Sequence, residues 1–127
     1  TFTGTARYLK QHHVQCYAVE PEGSVLNGGP AHAHDTEGIG SEKWPIFLER
    51  RLVDGIFTLK DQDAFRNVKS LAINEGLLVG SSSGAALQGA LNLKAQLSEG
   101  TIVVVFPDGS DRYMSKQIFN YEENDYE

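Results

Sequence analysis

A single cysteine, Cys16, stands in the whole chain, so no internal disulfide can form. It lies in the apolar run VQCYAV (residues 14–19), where a buried, reduced thiol is the expectation. Long hydrophobic runs are also missing: no window approaches the ~18 apolar residues of a membrane-spanning helix. No basic stretch followed by an apolar core marks a signal peptide either, so a cytoplasmic location is expected, with no membrane partner. Positive charge is scarce, 11 Lys and Arg against 17 Asp and Glu, and the net charge of −6 argues against nucleic acid as a partner. The four histidines, His12, His13, His32 and His34, all fall in the first third of the chain. There is no internal repeat and no low-complexity tract. What remains is 127 residues, 40% hydrophobic and 22% charged: one domain at most, of ordinary globular composition.

The most informative stretch is EGLLVGSSSGAA, residues 75–86. A short apolar run, Leu77 to Val79, meets a serine turn bracketed by Gly80 and Gly84, and small apolar residues then continue at helical spacing. That is strand, tight turn and helix, which sets small side chains at the carboxyl end of a sheet. The glycines would let the backbone turn sharply and approach a ligand closely. Ser81, Ser82 and Ser83 offer three hydroxyls beside the free N–H groups of a helix start. Read as G-x-S-x-G, the turn matches a hydrolase nucleophile elbow around Ser82, but that chemistry needs a histidine later in the chain, and none follows. A turn that holds a cofactor and a plain serine cap with no ligand are the other readings.

In chain order, residues 1–11 read as a helix whose first turn carries Thr1, Thr3 and Thr5, a dress that suits an anion or an ordinary cap. Residues 14–19 read as a strand, and 24–40 as a long glycine-rich connection, of the kind that usually carries function. His32 and His34 within it lack a third ligand, so no metal is assigned. Residues 43–51 read as a short helix after Pro45, and 53–59 as a strand. Asp61 is the expected N-cap of a helix over 62–74, with Ala64, Phe65, Val68, Leu71 and Ala72 as its apolar stripe and Gly76 as its stop. A helix from Ser83 to about Glu99, a fully buried strand IVVVF at 102–106, and a last helix at 110–119 follow. This alternation predicts an α/β three-layer sandwich with a mostly parallel, twisted sheet. The serine turn and Pro107–Asp108 would share its ligand-binding rim.

Several stretches together, TGTARYLK (3–10), VEPEGSV (19–25), EGIG (37–40), EGLLVGSSSGAA and VVVFPDGSDRYMSK (103–116), resemble the pyridoxal-phosphate-dependent β-synthases of the tryptophan-synthase-like fold, type II, cysteine synthase and cystathionine β-synthase. The likeness covers nearly the whole chain. VEPEGS, the EGIG loop and LERRLVDG lean toward the cystathionine β-synthase branch. The resemblance implies the C-terminal part of the large catalytic domain, with pyridoxal 5'-phosphate as cofactor. It implies Thr1 as a phosphate ligand, closing a glycine-rich loop, and Ser82 as the hydroxyl facing the pyridine nitrogen. Glu37, Gly38, Ile39 and Gly40 become the substrate loop, and Pro107 and Asp108 the cofactor rim.

The family's Schiff-base lysine lies in an S-x-K-x-R segment, and none of Lys10, Lys43, Lys60, Lys69, Lys94 and Lys116 has that context. The expectation is a partial chain, opening at Thr1, catalytically inactive alone and partnered by the N-terminal part of the same enzyme, in a homodimer. The intact enzyme would turn serine or O-acetylserine into an aminoacrylate and add homocysteine or sulfide. Cysteine synthase proper is the alternative within the family, and a non-catalytic small-molecule binding domain the alternative outside it.

Overall fold

Two strands run side by side in the same direction in the computed structural model, which describes residues 1–122. β1 (Tyr17–Pro21) pairs in parallel with β2 (Gly55–Leu59), Tyr17 opposite Gly55 and Pro21 opposite Leu59. Parallel strands need a long crossover, and here it is the irregular stretch 22–54. β1 starts three residues later than the sequence suggests. Cys16 is drawn out of the ladder because its N–H donates to Asp54 Oδ2 at 2.6 Å, a carboxylate that also takes the Lys10 ammonium.

The helix before β1, α1 (Phe2–Leu9), buries Ala6 against Cys16 and Leu52. Cys16 is a free thiol in that small cluster. After β2 the chain enters α2 (Asp61–Glu75) and then α3 (Ser81–Lys94). The apolar stripe of α2 is real: Ala64, Phe65, Val68 and Leu71 are buried, and Phe65, Val68 and Leu71 join Val79 and Ile118 in the main core. Gly76 ends α2 in the left-handed region at φ 68°, and the Leu77 N–H returns to Leu71 O at 3.2 Å. The Gly76 N–H returns to the same carbonyl, so the chain leaves the helix on a shared acceptor. A third cluster, Leu59, Ala64 and Ala85, joins the end of β2 to both helices.

Five expectations are corrected. Residues 43–51 do not form a helix: the Trp44 indole N–H donates to Leu48 O at 2.6 Å and Thr3 Oγ1 to Phe47 O at 2.5 Å, so side chains take the carbonyls a helix would use. Only a 3₁₀ turn, Arg50–Leu52, closes the segment. Residues 110–119 give two separate 3₁₀ turns, Ser110–Arg112 and Met114–Lys116, the second stopped by Gln117 at φ 52°. Asp61 is the first helical residue and not the cap, because its carboxylate turns back onto residues 35 and 36. The run at 102–106 pairs with no strand among the described residues, and Val103 and Val105 are 85% and 69% exposed. Val79 makes one antiparallel bridge, to Gly109. α3 also begins two residues before Ser83 and stops at Lys94, since residues 95–100 are exposed and have no face to bury.

Candidate functional site

The serine turn is the first turn of α3, with Gly80 as its extended N-cap at φ −78° and ψ 169°. Ser81, Ser82, Ser83 and Gly84 are all buried. Neither Gly80 nor Gly84 has a positive φ, so backbone freedom is not why they are glycine. Closeness is: a Cβ on Gly80 would lie 2.2 Å from Asp108 Oδ1, and one on Gly84 would lie 2.1 Å from the Ala64 carbonyl oxygen. The glycines let other parts of the protein approach the turn, and thereby bring the residue 108 rim onto it. Backbone bonds tie the same elements, Gly80 N–H to Asp108 O and Ser110 N–H to Leu78 O, both at 3.2 Å.

The loop of Glu37, Gly38, Ile39 and Gly40 meets this turn. The Glu37 N–H donates to Ser81 Oγ at 3.2 Å, and a Cβ on Gly38 would come within 3.9 Å of Ser82 Oγ. Gly38 and Gly40 take φ values of 83° and 95°, which side chains with a Cβ seldom adopt. On its far side Gly40 faces the His34 ring and an open cleft of about 490 Å³, lined in part by His32, His34, Gly40 and Glu42. His32 Nδ1 lies 2.8 Å from Ala33 O, and among the described residues no cluster of three or more His, Cys, Asp or Glu is placed to hold a metal.

Ser82, the loop from Glu37 to Gly40, and Asp108 therefore come together, while Pro107 beside Asp108 is exposed. Thr1 stands at the N-terminus of α1. It caps α1 without a side-chain bond, is exposed, and its helix sits on the Cys16 and Leu52 cluster. The sequence reading missed three residues at the site. Tyr113 donates its hydroxyl proton to Asp108 Oδ2, and that bond, with burial adding to it, pushes the phenol above its usual range. Lys116 Nζ pairs with Glu37 Oε1 at 3.2 Å. Asp61, taken for a helix cap, reaches residues 35 and 36 at the edge of that loop. No local pattern announces the first two. Asp61 followed by an apolar stripe carried a signal, but it pointed to the wrong partner.

Two buried polar atoms here have no hydrogen-bond partner among the described residues, Ser83 Oγ and Asp108 Oδ1. They lie beside the start of α3, where the Ser83 and Gly84 N–H groups return to Gly80 O, and beside the Tyr113 ring; the turn suits a compact polar group with ring nitrogen and oxygen functions. The buried Ser82 hydroxyl can donate to, or accept from, such an atom. A pyridine-type cofactor fits these residues.

Comparison with known proteins agrees. A protein described as an O-acetylserine dependent cystathionine beta-synthase, from Bacillus subtilis, is 56% identical over 122 residues, covering 94% of this chain and 40% of that protein. A cysteine synthase of Helicobacter pylori is 49% identical over 122 residues, with the same coverage. Among solved structures, an O-acetylserine dependent cystathionine beta-synthase from Helicobacter pylori superposes with a TM-score of 0.89 at 49% identity, over 94% of this chain and 40% of that one. An O-acetyl serine sulfhydrylase isoform from Entamoeba histolytica gives 0.88 at 34% identity, over 98% and 39%. The chain thus spans about 40% of the length of these relatives and has part of their α/β fold. The family model described as "Pyridoxal-phosphate dependent enzyme" matches residues 1–108, and the chain belongs to that family.

Proposed function

We propose that this chain is the C-terminal part of the catalytic domain of a pyridoxal-phosphate-dependent β-replacement enzyme of sulfur amino-acid metabolism, cystathionine β-synthase-like, taking O-acetylserine or serine with homocysteine. The observation that carries it is the seating of a two-glycine loop on a buried serine turn: Glu37 N–H on Ser81 Oγ and Gly38 beside Ser82 Oγ. The Bacillus subtilis relative, described as an O-acetylserine dependent cystathionine beta-synthase, supports this reading.

Pyridoxal phosphate supplies an electron sink that weakens bonds at the α and β carbons of an attached amino acid. Ser82 would present a neutral hydroxyl to the pyridine nitrogen of that group. Such a partner does not force a proton onto the ring, which suits loss and replacement of a β substituent. Thr1 contributes its hydroxyl and N–H at the start of α1, where the helix dipole favours a phosphate. Gly38 and Gly40 let the loop backbone lie close to the amino acid, and closure of Glu37 to Gly40 excludes water from it. Asp108, braced by Tyr113, walls the ring side of the site. The rest of the polypeptide supplies the Schiff-base lysine and is this chain's partner, in a cytoplasmic homodimer; Pro107 completes the rim.

The complete enzyme, purified with its cofactor, tests this reading directly. Cystathionine should form from O-acetylserine and homocysteine, faster than cysteine forms from O-acetylserine and sulfide. A holoenzyme that replaces the β substituent of neither O-acetylserine nor serine, with either thiol, would refute it.

A further inference from the structure

Two carboxylates grip the long crossover in the same way. Glu20, wholly buried in β1, accepts the N–H groups of Leu26 at 2.9 Å and Asn27 at 3.0 Å and the hydroxyl of Thr58 at 2.9 Å. Asp61, at the start of α2, accepts the N–H groups of Asp35 at 2.6 Å and Thr36 at 2.8 Å and the Thr36 hydroxyl at 2.5 Å. Each takes two consecutive backbone donors and one threonine hydroxyl. A carboxylate is acceptor-only and has room for all three, and bonds to it are stronger than neutral ones.

The second grip stands at the edge of the substrate loop. Thr36 is 1% exposed, Glu37 is then fastened by its N–H to Ser81 Oγ, and at Gly38 the backbone turns to φ 83°. The crossover is therefore held as far as Glu37 and again at Ser41, which bonds Ser24 and Val25, with Gly38 to Gly40 spanning the gap. Asp61 also lies on the helix whose Ala64 carbonyl packs on Gly84, one turn from the serine hydroxyls. A single rigid pair of helices thus carries both the serine turn and the hold on the loop that faces it.

We infer that Asp61 is a positioning residue for the reaction: through Thr36 it fixes the hinge from which Glu37 to Gly40 close on the amino-acid substrate. This rests on the function proposed above. Glu20 does the same work at the distant end of the crossover and serves as the internal comparison.

The test uses the complete holoenzyme with Asp61→Asn, Thr36→Val and Glu20→Gln. Asp61→Asn keeps the shape but turns an amide donor toward backbone donors. Amide hydrogen exchange of residues 35–37 should quicken by about tenfold or more, as loss of a bond to a charged acceptor implies. kcat/KM for the amino-acid substrate should fall about tenfold, with cofactor absorbance retained. Thr36→Val should give a weaker form of both effects, and it carries the test if Asp61→Asn does not fold. Glu20→Gln should quicken exchange at Leu26 and Asn27 and leave exchange at residues 35–37 as in the parent, which separates the two grips. Unchanged exchange at 35–37, or faster exchange with unchanged kcat/KM, would overturn the inference. A wild-type holoenzyme with no β-replacement activity would sink the function reading instead; the exchange profile would still decide whether Asp61 holds the hinge.

Discussion

Replacing Gly84 with alanine isolates what the serine turn demands of its neighbours. Alanine is the better helix former, and in an open helical position the change gains roughly 0.5–1 kcal/mol. At Gly84 the new Cβ would sit 2.1 Å from the Ala64 carbonyl oxygen, 3.0 Å from its carbon and 2.9 Å from Val68 Cγ2. An ordinary contact is roughly 3.5 Å or more, so the two helices must part by more than 1 Å, and the oxygen belongs to backbone that cannot swing aside. The Asn67 Nδ2 bond to Gly84 O, at 3.1 Å, would be strained by the same movement. Overpacking of this kind costs about 1–3 kcal/mol, sometimes more, so it outweighs the propensity gain and leaves a net loss of about 1–2 kcal/mol. Gly4, in α1, is the matched control, since nothing lies within 4 Å of its Cβ position. Equilibrium urea unfolding of the enzyme carrying each change should show Gly84→Ala destabilised and Gly4→Ala neutral or stabilised. A Gly84→Ala enzyme as stable as Gly4→Ala would refute the close-approach account of that glycine.

Ser82→Ala in the complete enzyme should retain the cofactor and slow β-replacement by about tenfold, because a neutral hydrogen bond is worth roughly 0.5–1.5 kcal/mol. Loss of all activity, or stoichiometric labelling of Ser82 by a fluorophosphonate, would make it a nucleophile and overturn the cofactor reading. Gly38→Ala should lower kcat more than cofactor affinity: the added carbon meets Ser82 Oγ only at an ordinary 3.9 Å, so the penalty comes from φ 83°; equal kinetics for both substrates would remove the loop from the mechanism. Burial alone would raise the Asp54 carboxyl, but the Lys10 and Cys16 hydrogen bonds outweigh it, and the Arg7 hydrogen bond leads in lowering Glu49. Both are thus held below their usual range. Their stabilisation is complete above the ordinary carboxylate range, about pH 4, and disappears as pH falls through the lowered folded-state values. Urea midpoints measured from pH 6 downward should fall less steeply for Asp54→Asn than for the parent, and more salt should shrink the difference; superimposable profiles would refute the assignment.

The parts of this fold that could be read from sequence are those whose stabilisation is local. The stripe Ala64, Phe65, Val68 and Leu71 gives α2 its face, and Gly76 stops it by its own backbone preference. The parts that misled depend on distant partners. Residues 102–106 have the composition of a buried strand, yet a strand is defined by its neighbour, and none lies along it among the described residues. Asp61 has the residue type of a cap, but three donors from residues 35 and 36 outbid the helix for its carboxylate. At the site, Ser82 and the loop from Glu37 to Gly40 were legible as motifs, and the structure brings them together. Tyr113 and Lys116 were not, because nothing in one dimension shows that 3₁₀ turns near the end of the chain fold back onto Gly80 and Glu37.

The bare edge at 101–106 has a consequence for how this polypeptide must be made and handled. TIVVVF holds no charge and no proline, and all six of its residues are β-branched or aromatic. Segments of this kind stack in register with copies of themselves into dry, cross-β ribbons. With Val103 and Val105 turned outward, one chain is a template for the next. Glu99 ahead of the run and Pro107–Asp108 behind it are gatekeepers, residues that a growing ribbon cannot accommodate. The interval between synthesis of this run and its pairing with another segment is therefore a moment of aggregation hazard, and fast pairing is a requirement that the sequence itself imposes.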